Sequence, residues 1–448
     1  MSGIYDLIVV GAGPGGYEAA AHAAQLGKRV ALVERGRTGG ACLNVGCIPT
    51  KAFLRSSRLF ADCRNAQAYG VRIDGLSFDL PAVIARKNRI VGTLRRGVES
   101  MLKRAGVEVI RAHGRLASRR TVAADGRVLE ARNILIATGS RPAAPPVPGI
   151  ESALDSDAIL DRPEIPHSLA IIGGGYIGLE FAGFFSAIGT EVTVFEMLPQ
   201  VAPGVDRDIA ARLVDSLEKS GVTVRTSCRV TAVNGETVHY QDEAGKAQAL
   251  RVACVLNAAG RVPVTDGLGL EEIGVDFDQR GIRTSEEGRT SAPNVWACGD
   301  VTGRRLLAHA ATREGVVAVN NMFGRRDRIR YHAIPSVIYT HPEIASVGCT
   351  EEELQAQGVA YRRALVPMSI SGRFLVENEG ATGAIKVLAG ARHGEILGVH
   401  AAGDGASEFI ALAATLLETE MCAADAAGIV FPHPTVCEAL KSAILQVL

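Results

Sequence analysis

Two cysteines that could form a redox pair, Cys42 and Cys47, stand five positions apart. On a regular helix such residues lie roughly 8 to 9 Å apart at Cα, because each residue adds ~1.5 Å of rise and ~100° of rotation, and a disulfide tolerates at most ~7 Å. A disulfide here needs a bent backbone, which Gly46 can supply, and Pro49 fixes its own φ before a helix that we expect to begin near Lys51. A strained, accessible bridge is easily reduced. The spacing alone also allows a structural disulfide or two unrelated thiols.

The cysteines follow a segment with the order strand, glycine turn, helix, strand and acid. An apolar run at 5–10 leads into the glycine-rich turn 11–16, a helical stretch follows, and a second apolar run at 29–33 ends at Glu34. Glycines let the backbone approach a pyrophosphate at the helix N-terminus, and the carboxylate can accept a hydrogen bond from a ribose hydroxyl. We call residues 5–34 the first dinucleotide motif. Its candidate cofactor-binding glycines are Gly11, Gly13 and Gly16.

The same order recurs at 169–196, which we call the second dinucleotide motif. Its apolar runs lie at 169–172 and 191–195, and it ends at Glu196. The first glycine and the acid are 23 positions apart in both motifs, 11 to 34 and 173 to 196. Equal spacing in two copies predicts two bound dinucleotides. The candidate glycines of the second copy are Gly173, Gly175 and Gly178.

Further short motifs follow in a fixed order along the chain. With the cysteine segment 42–51, they are Ala137-Thr138-Gly139, Gly260-Arg261-Val262-Pro263, Ala297-Cys298-Gly299-Asp300, Tyr339-Thr340-His341-Pro342-Glu343, and His433-Pro434-Thr435 with Glu438. This set resembles the pyridine nucleotide-disulfide oxidoreductases, flavoproteins whose first motif holds FAD and whose second holds a nicotinamide cofactor. Within that family the chain is most similar to the dihydrolipoamide dehydrogenases. The resemblance covers nearly the whole length.

The resemblance implies an α/β fold with two Rossmann-like dinucleotide-binding domains and a C-terminal α+β dimerisation domain. The FAD-binding domain is expected at 1–145 and 266–333, the NAD-binding domain at 146–265, and the interface domain of a homodimer at 334–448. In the last domain we predict strands at 384–388 and 396–400 and a helix at 406–417.

Bulk composition argues against several classes of partner. Lys plus Arg and Asp plus Glu both number 48, and the pI is about 7.1, so no basic field predicts binding to nucleic acid or to an anionic membrane. The first predicted strand begins too early for a presequence, and no apolar run approaches the ~20 residues of a spanning helix. Nine cysteines, mostly scattered singly, suit a reducing compartment. We expect a cytoplasmic protein.

The resemblance gives catalytic roles to six residues. Cys42 exchanges with the substrate sulfur and Cys47 lies against the flavin, and His433 is the base, oriented by Glu438. In the family this histidine reaches the cysteines of the other subunit. The two remaining residues, expected to pair beside the flavin N5, are Lys51 and Glu180.

Other residues are expected to bind the cofactors. Glu196 can bond the free 2′-hydroxyl of NAD and would repel a 2′-phosphate, so NAD is favoured over NADP. By resemblance Glu34 holds the adenosine ribose of FAD, Asp300 its ribityl chain, and Tyr176 covers the nicotinamide pocket. The remaining cofactor-binding candidates are Thr138, Gly139, Gly260 and Gly299. No metal site is predicted.

The implied reaction is oxidation of dihydrolipoamide on a carrier protein of a 2-oxoacid dehydrogenase or glycine cleavage system, through the cysteines to FAD and then to NAD. Three positions depart from close relatives: Phe431 stands where a histidine is frequent, Ala41 replaces a threonine, and Val264 replaces an asparagine. The first departure touches the substrate channel. Two alternatives are an NADH-dependent reductase of another disulfide or of a metal ion, and a flavoprotein scaffold or redox-sensor subunit.

Overall fold

The computed structural model describes residues 3–448. They form two compact units, each built from separate stretches of the chain. Unit 1 comprises the described residues up to Ala52 together with Ala82–Ala143 and Gly260–Ile329. Unit 2 comprises Phe53–Pro81, Ala144–Ala259 and Arg330–Leu448. The four-segment domain division made from the sequence stays a prediction.

The strands are, in chain order, β1 Tyr5–Val10, β2 Val30–Glu34, β3 Glu108–Arg111, β4 Gly114–Ser118, β5 Thr121–Ala124, β6 Arg127–Ile136, β7 Ser140–Pro142, β8 Ser168–Ile172, β9 Glu191–Phe195, β10 Thr223–Arg225, β11 Arg229–Asn234, β12 Thr237–Gln241, β13 Ala247–Arg251, β14 Cys254–Asn257, β15 Arg261–Pro263, β16 Phe277–Asp278, β17 Gly281–Ile282, β18 Val295–Ala297, β19 Ser336–Ile338, β20 Ile344–Gly348, β21 Tyr361–Pro367, β22 Ala384–Gly390 and β23 Ile396–Ala402.

The α-helices are α1 Pro14–Gln25, α2 Gly40–Val45, α3 Cys47–Arg64, α4 Leu80–Arg104, α5 Tyr176–Ala187, α6 Arg207–Lys219, α7 Leu270–Ile273, α8 Ala308–Met322, α9 Glu351–Gln357, α10 Gly372–Glu377, α11 Ala406–Glu418, α12 Ala423–Gly428 and α13 Glu438–Leu445. Short 3₁₀ helices lie at Ala66–Tyr69, Ile150–Ser152, Ala158–Asp161, Gly299–Thr302, Tyr331–Ala333 and Met368–Ile370.

Unit 1 is organised around one sheet with the strand order β3-β2-β1-β6-β5-β4, and β18 also pairs with β6. The strands β3, β2, β1, β6 and β18 are parallel, which explains why β1 is apolar at four consecutive positions, 7–10, instead of alternating. Helices α1 and α8 pack so closely that a Cβ on Gly315 would come within 2.5 Å of the Gly15 carbonyl oxygen. Ala19 and Ala23 share an apolar core with Ala318 and Val319.

Unit 2 contains a second parallel sheet, β10-β9-β8-β14, a three-stranded antiparallel sheet, β11-β12-β13, and a five-stranded antiparallel sheet, β19-β20-β23-β22-β21. The strands predicted at 384–388 and 396–400 are confirmed as β22 and β23, and the helix predicted at 406–417 is α11. Among the described residues no helix is both long enough and apolar enough to cross a bilayer.

A buried ion cluster fixes the start of α6 in unit 2. Lys386 of β22 is 1% exposed, and its ammonium group lies 2.9 Å from carboxylate oxygens of both Asp206 and Asp208. Glu351 completes the cluster. Asp206 also caps α6 by accepting from the Asp208 amide. A buried ammonium group needs this pairing because its desolvation would otherwise oppose folding.

Candidate active site and cofactor cradles

The cysteine segment forms two helices with a break between them. Helix α2 ends at Val45, Gly46 adopts φ −132° and ψ −107°, and α3 begins at Cys47. The break brings the Cα atoms of Cys42 and Cys47 to 4.7 Å, and the two side chains form a disulfide. Both cysteines are partly exposed. The predicted backbone bend is confirmed.

The start of α3 differs from the expectation. The helix begins at Cys47, four residues before Lys51, so the predicted start near Lys51 is wrong. The Thr50 amide already donates to the Gly46 carbonyl at 3.0 Å and closes the first turn. Pro49 lies inside that turn, where an N–H group would have no acceptor within the helix, so proline does not delay the helix.

The cysteine segment packs directly on the turn of the first dinucleotide motif. A Cβ on Gly40, which has φ +60°, would lie 2.5 Å from the Gly13 Cα atom. The Asn44 side chain donates to the carbonyls of Thr38 at 3.0 Å and of Gly40 at 2.9 Å, which holds this approach. The disulfide therefore lies beside the glycine turn within unit 1.

The glycines of the first motif have two different functions. A Cβ on Gly11, which has φ +104°, would overlap the Ala137 carbonyl, and a Cβ on Gly16 would overlap the Gly11 carbonyl. At Gly13 the nearest atom to an added Cβ is 3.9 Å away, so space remains above the turn. Helix α1 begins at Pro14, and its N-terminus can accept a pyrophosphate there. The cradle fits the pyrophosphate of FAD.

Glu34 holds the loop of this cradle with both carboxylate oxygens. Oε2 accepts from the Ala12 amide at 2.7 Å and Oε1 accepts from the Gly36 amide at 2.6 Å. Each carboxylate oxygen has two lone pairs, so the group can still accept from a ribose hydroxyl.

The second motif repeats this construction. Gly173, with φ +110°, approaches the Ala258 carbonyl as Gly11 approaches Ala137. Within residues 3–448, and apart from its own chain neighbours, no atom lies within 4 Å of a Cβ built on Gly175. A Cβ on Gly178 would overlap the Gly173 carbonyl. Glu196 accepts from the Gly174 amide at 2.7 Å and from the Leu198 amide at 2.8 Å. This cradle fits a second dinucleotide.

A polar chain in unit 1 ends on Asp300. The Ser140 hydroxyl donates to Asp300 Oδ2 at 2.6 Å, and Arg261 donates to both the hydroxyl and the carbonyl of Ser140, at 2.8 and 2.9 Å. Burial raises the pKa of Asp300, whereas Ser140 and Arg261 oppose that rise. Arg261 directly follows Gly260, which has φ +117°.

Residues close in sequence to Ser140, Arg261 and Asp300 form hydrogen bonds that each involve a main-chain atom. Thr138 donates through Oγ1 to the Val264 carbonyl at 2.7 Å, and the Val264 amide donates to the Gly139 carbonyl at 2.9 Å. Both contacts of Val264 are independent of its side chain, so its departure from asparagine leaves them intact. The Gly299 amide donates to the buried Glu314 carboxylate at 2.6 Å.

The expected base and its carboxylate lie together in unit 2. His433 Nδ1 lies 2.9 Å from Glu438 Oε1, and the second oxygen of Glu438 accepts from the Thr435 amide at 2.9 Å. The Thr435 amide, and then His433, lower the pKa of Glu438. The His433 side chain is 79% exposed, which leaves its other ring nitrogen accessible. The Thr435 carbonyl accepts from the buried Ser371 hydroxyl at 2.9 Å.

The remaining predicted residues lie near the ends of helices. Tyr176 is the first residue of α5 and is half-buried. Glu180, one turn later, is 5% exposed and accepts from the Tyr339 amide at 3.0 Å. Lys51 lies in unit 1 and Glu180 in unit 2, and their pairing stays a prediction.

Sequence reasoning gave no role to Ser140, Glu314 or Ser371. Ser140 lies 121 positions from Arg261 and 160 from Asp300, so no local spacing could connect them. The available signal was position alone, since Ser140 directly follows the Ala137-Thr138-Gly139 motif.

Comparison with known families matches most of the chain. Residues 5–315 match the family described as "Pyridine nucleotide-disulphide oxidoreductase", and residues 334–444 match its dimerisation domain. The presence of this domain supports a homodimer.

Similar proteins cover the chain from end to end. Dihydrolipoyl dehydrogenase 3 of Pseudomonas aeruginosa is 42% identical, over 99% of this chain and 98% of that protein. The dihydrolipoyl dehydrogenases of Cupriavidus necator and Bacillus subtilis are 38% and 36% identical, over 100% and 99% of this chain and 98% of each protein. A solved structure, the HOCl-induced flavoprotein disulfide reductase RclA from Escherichia coli, is 27% identical with a TM-score of 0.87, over 99% of this chain and 100% of RclA. The chain belongs to the pyridine nucleotide-disulphide oxidoreductase family, as a flavoprotein disulfide oxidoreductase with FAD and NAD as cofactors.

Proposed function

We propose that this protein is an NAD-dependent dihydrolipoyl dehydrogenase, which oxidises a protein-bound dihydrolipoamide to its disulfide. The observation that carries the proposal is the Cys42–Cys47 disulfide packed on the first glycine turn. The full-length relatives named dihydrolipoyl dehydrogenase support the choice of substrate.

The cysteines carry the exchange chemistry. A substrate thiolate attacks Cys42, the Cys42–Cys47 bond breaks, and the Cys47 thiolate leaves. The second substrate sulfur then displaces Cys42, so the substrate gains a disulfide and the two cysteines gain two electrons. Thiolates are the reactive species in both steps.

His433 supplies the base that these steps need. Its exposed ring nitrogen takes the proton from the substrate thiol, and Glu438 holds the opposite ring nitrogen and stabilises the imidazolium ion. The match to the dimerisation domain supports a homodimer as the working form, in which His433 would serve the cysteines of the partner subunit.

The two cradles divide the cofactors between them. FAD, when bound, would supply the two-electron chemistry that links the cysteine pair to NAD. Glu34 would bind the adenosine ribose of FAD and Asp300 its ribityl chain, and Glu196 would bind the NAD ribose. The other residues proposed for FAD are Gly11, Gly13, Gly16, Lys51, Thr138, Gly139 and Gly299. The others proposed for NAD are Gly173, Gly175, Tyr176, Gly178 and Gly260, and Glu180 is proposed to pair with Lys51 beside the flavin.

The proposed partner is the lipoyl-bearing carrier protein of a 2-oxoacid dehydrogenase or glycine cleavage system. Free dihydrolipoamide carries the same dithiol as the protein-bound lipoyl group, so it can replace the carrier protein in assays.

The decisive experiment is anaerobic titration of the FAD-loaded enzyme with dihydrolipoamide, followed by NAD. We expect a long-wavelength charge-transfer band from a thiolate beside the flavin, and then one NADH for each dithiol oxidised. The Cys47→Ser variant should show neither. Absence of the band in the wild-type enzyme would overturn the role of the cysteine pair, and a band without NADH would overturn the assignment of NAD.

A second candidate is NADH-dependent reduction of a different substrate. The similarity to RclA, which was also solved as a Cu(II) complex, favours it, and so does Phe431 at a position where close dihydrolipoamide dehydrogenases often have histidine. Comparing kcat/KM for dihydrolipoamide oxidation with kcat/KM for NADH-dependent reduction of Cu(II) and of glutathione disulfide separates the two. A value for either reduction that exceeds the dihydrolipoamide value would favour this second candidate.

A further inference from the structure

The short ladder formed by β7 and β15 lies where the chain leaves and re-enters unit 1. The two strands are antiparallel, with Ser140 opposite Pro263 and Arg261 opposite Pro142. This register lets the Arg261 side chain reach back to Ser140, at the opposite end of the ladder. A contact between residues 121 positions apart is therefore built by the backbone pairing.

The direction of each hydrogen bond among Arg261, Ser140 and Asp300 follows from the donors and acceptors that these groups carry. Arginine has only donors, so Nε and Nη2 of Arg261 must donate to the hydroxyl and carbonyl oxygens of Ser140. The hydroxyl has a single proton. That proton is therefore directed to Asp300 Oδ2, 2.6 Å away. A short bond from a hydroxyl to a carboxylate is charge-assisted and stronger than a neutral one.

The Ser140 hydroxyl bonds to Oδ2 of Asp300 and leaves Oδ1 of the same carboxylate available. Within residues 3–448, Asp300 Oδ1 accepts no hydrogen bond. Asp300 is largely shielded from water, and burial raises its pKa, while Ser140 and Arg261 act in the opposite direction. The two residues thus favour the anionic form, in which Oδ1 is an acceptor.

We propose that Ser140 and Arg261 are positioning residues for FAD, which hold Asp300 as a carboxylate with Oδ2 fixed and Oδ1 available to a hydroxyl group of the cofactor. The inference rests on the proposed role of Asp300 in binding the ribityl chain. Neither positioning residue needs to touch the cofactor.

The test measures FAD release from the holoenzyme on dilution, followed by the fluorescence of free flavin. Ser140→Ala and Arg261→Gln should each weaken FAD affinity roughly 10- to 100-fold, the range expected for losing a hydrogen bond to a charged group. Ser140→Thr keeps the hydroxyl and should restore most of the affinity. The matched control is Ser118→Ala, because Ser118 also bonds through its hydroxyl in unit 1, to Thr121.

A double-variant cycle separates positioning from general structural support. If Ser140 acts through Asp300, Ser140→Ala should add little to FAD loss in an Asp300→Ala background. Fully additive losses, or losses in both single variants that are no larger than in Ser118→Ala, would overturn the inference. Unchanged FAD retention in Asp300→Ala would instead remove the proposed role of Asp300 itself, a result that is distinguishable from either of the others.

Discussion

Individual glutamate carboxylates in this molecule hold main-chain amides and are also positioned to contact a cofactor or a catalytic side chain. Glu34 and Glu196 each hold a glycine turn through two amide hydrogen bonds and still have lone pairs for a ribose. Glu438 likewise holds the Thr435 amide while it orients His433. A substitution at such a residue changes a loop and a binding contact together. Conservative Glu→Gln variants, with matched controls, are therefore the informative ones.

At Glu196 we predict a change in cofactor discrimination. Glu196→Gln removes the charge that repels a 2′-phosphate and keeps a side-chain oxygen for one loop amide. The ratio of kcat/KM for NAD to that for NADP should fall about 10-fold or more. Glu34→Gln is the matched control, because Glu34 accepts from the equivalent loop amides in the first motif. This variant should leave the ratio of kcat/KM for NAD to that for NADP unchanged. An unchanged ratio in Glu196→Gln would argue against its contact with the ribose.

At Glu438 we predict a loss of turnover without loss of fold. Glu438→Gln weakens the orientation of His433 and the stabilisation of its imidazolium ion, so kcat for dihydrolipoamide oxidation should fall roughly 10- to 1,000-fold. His433→Gln should be at least as damaging. The exposed Glu418→Gln is the control. Wild-type kcat in Glu438→Gln would contradict the proposed pairing of base and carboxylate.

At the scale of elements, close backbone contacts position the reactive groups. The cysteine segment touches the first glycine turn through Gly40 and Gly13, and α8 touches α1 through Gly315 and Gly15. A side chain at either approach would push whole elements apart. Glycine at these positions is thus required by the spacing between elements as well as by backbone dihedral angles.

For the cysteine segment we predict that Gly40→Ala accelerates FAD release and slows reduction of the disulfide by dithiol. Gly27→Ala is a matched control for left-handed backbone strain, because Gly27 has φ +75° but no atom of the described residues, apart from its chain neighbours, lies within 4 Å of an added Cβ. Both variants incur about 1 kcal/mol of conformational strain, and only Gly40→Ala adds a clash. Equal behaviour of the two variants in stopped-flow reduction and flavin release would show that the close approach is unimportant.

For the connector after α8 we predict a pH-dependent stability. Asp327 accepts from Arg313 and Asn320 on α8, and its pKa is lowered to about 2, chiefly by Arg313. A lowered pKa means that the stabilisation is complete above the unfolded value of ~3.9 and is lost as pH falls toward 2. Asp327→Asn should lower the Tm at pH 6, and this deficit should shrink steadily from pH 4 to pH 3. A deficit that is constant over this range would contradict the assignment, and the exposed Asp266→Asn should show no deficit.

The folded chain also explains which features could be predicted from sequence. The glycine-to-acid spacing could be recognised in the sequence because the acid at the end of the second strand must lie beside the glycine turn. Glu34, at the end of β2, accepts from the Ala12 amide in this way. The bond from Ser140 to Asp300 and the pairing of Lys386 with Asp206 were not, because tertiary packing alone joins these residues across 160 and 180 positions. The start of α3 could not be located from Pro49, because proline is tolerated inside the first turn of a helix as well as before it.

At the scale of the whole molecule, the dimerisation domain presents apolar side chains to solvent. Val430 is 90% exposed, Val376 73%, Leu375 52% and Ile370 49%. Burial of exposed apolar groups favours association, and it is expected of a domain that forms dimers. Residues 334–444 match such a domain, which agrees with a homodimer as the functional form.

A shared active site would show complementation between two inactive subunits. Co-expressed Cys47→Ser and His433→Gln chains should yield about a quarter of wild-type activity, because half of the randomly paired dimers would contain one intact site out of two. Each variant expressed alone should be nearly inactive. If purified mixed dimers were as inactive as the parents, His433 would not serve the cysteines of the partner subunit.

The paired cradles have a consequence for how cofactors are acquired. In both, one glutamate accepts hydrogen bonds from two main-chain amides of the loop, and these contacts use protein atoms that can pair during folding. Binding of a dinucleotide to a loop braced in this way should cost little additional conformational entropy of the protein. We therefore expect loading of FAD onto folded apoprotein to follow simple bimolecular kinetics, with a rate proportional to flavin concentration and no slow unimolecular phase.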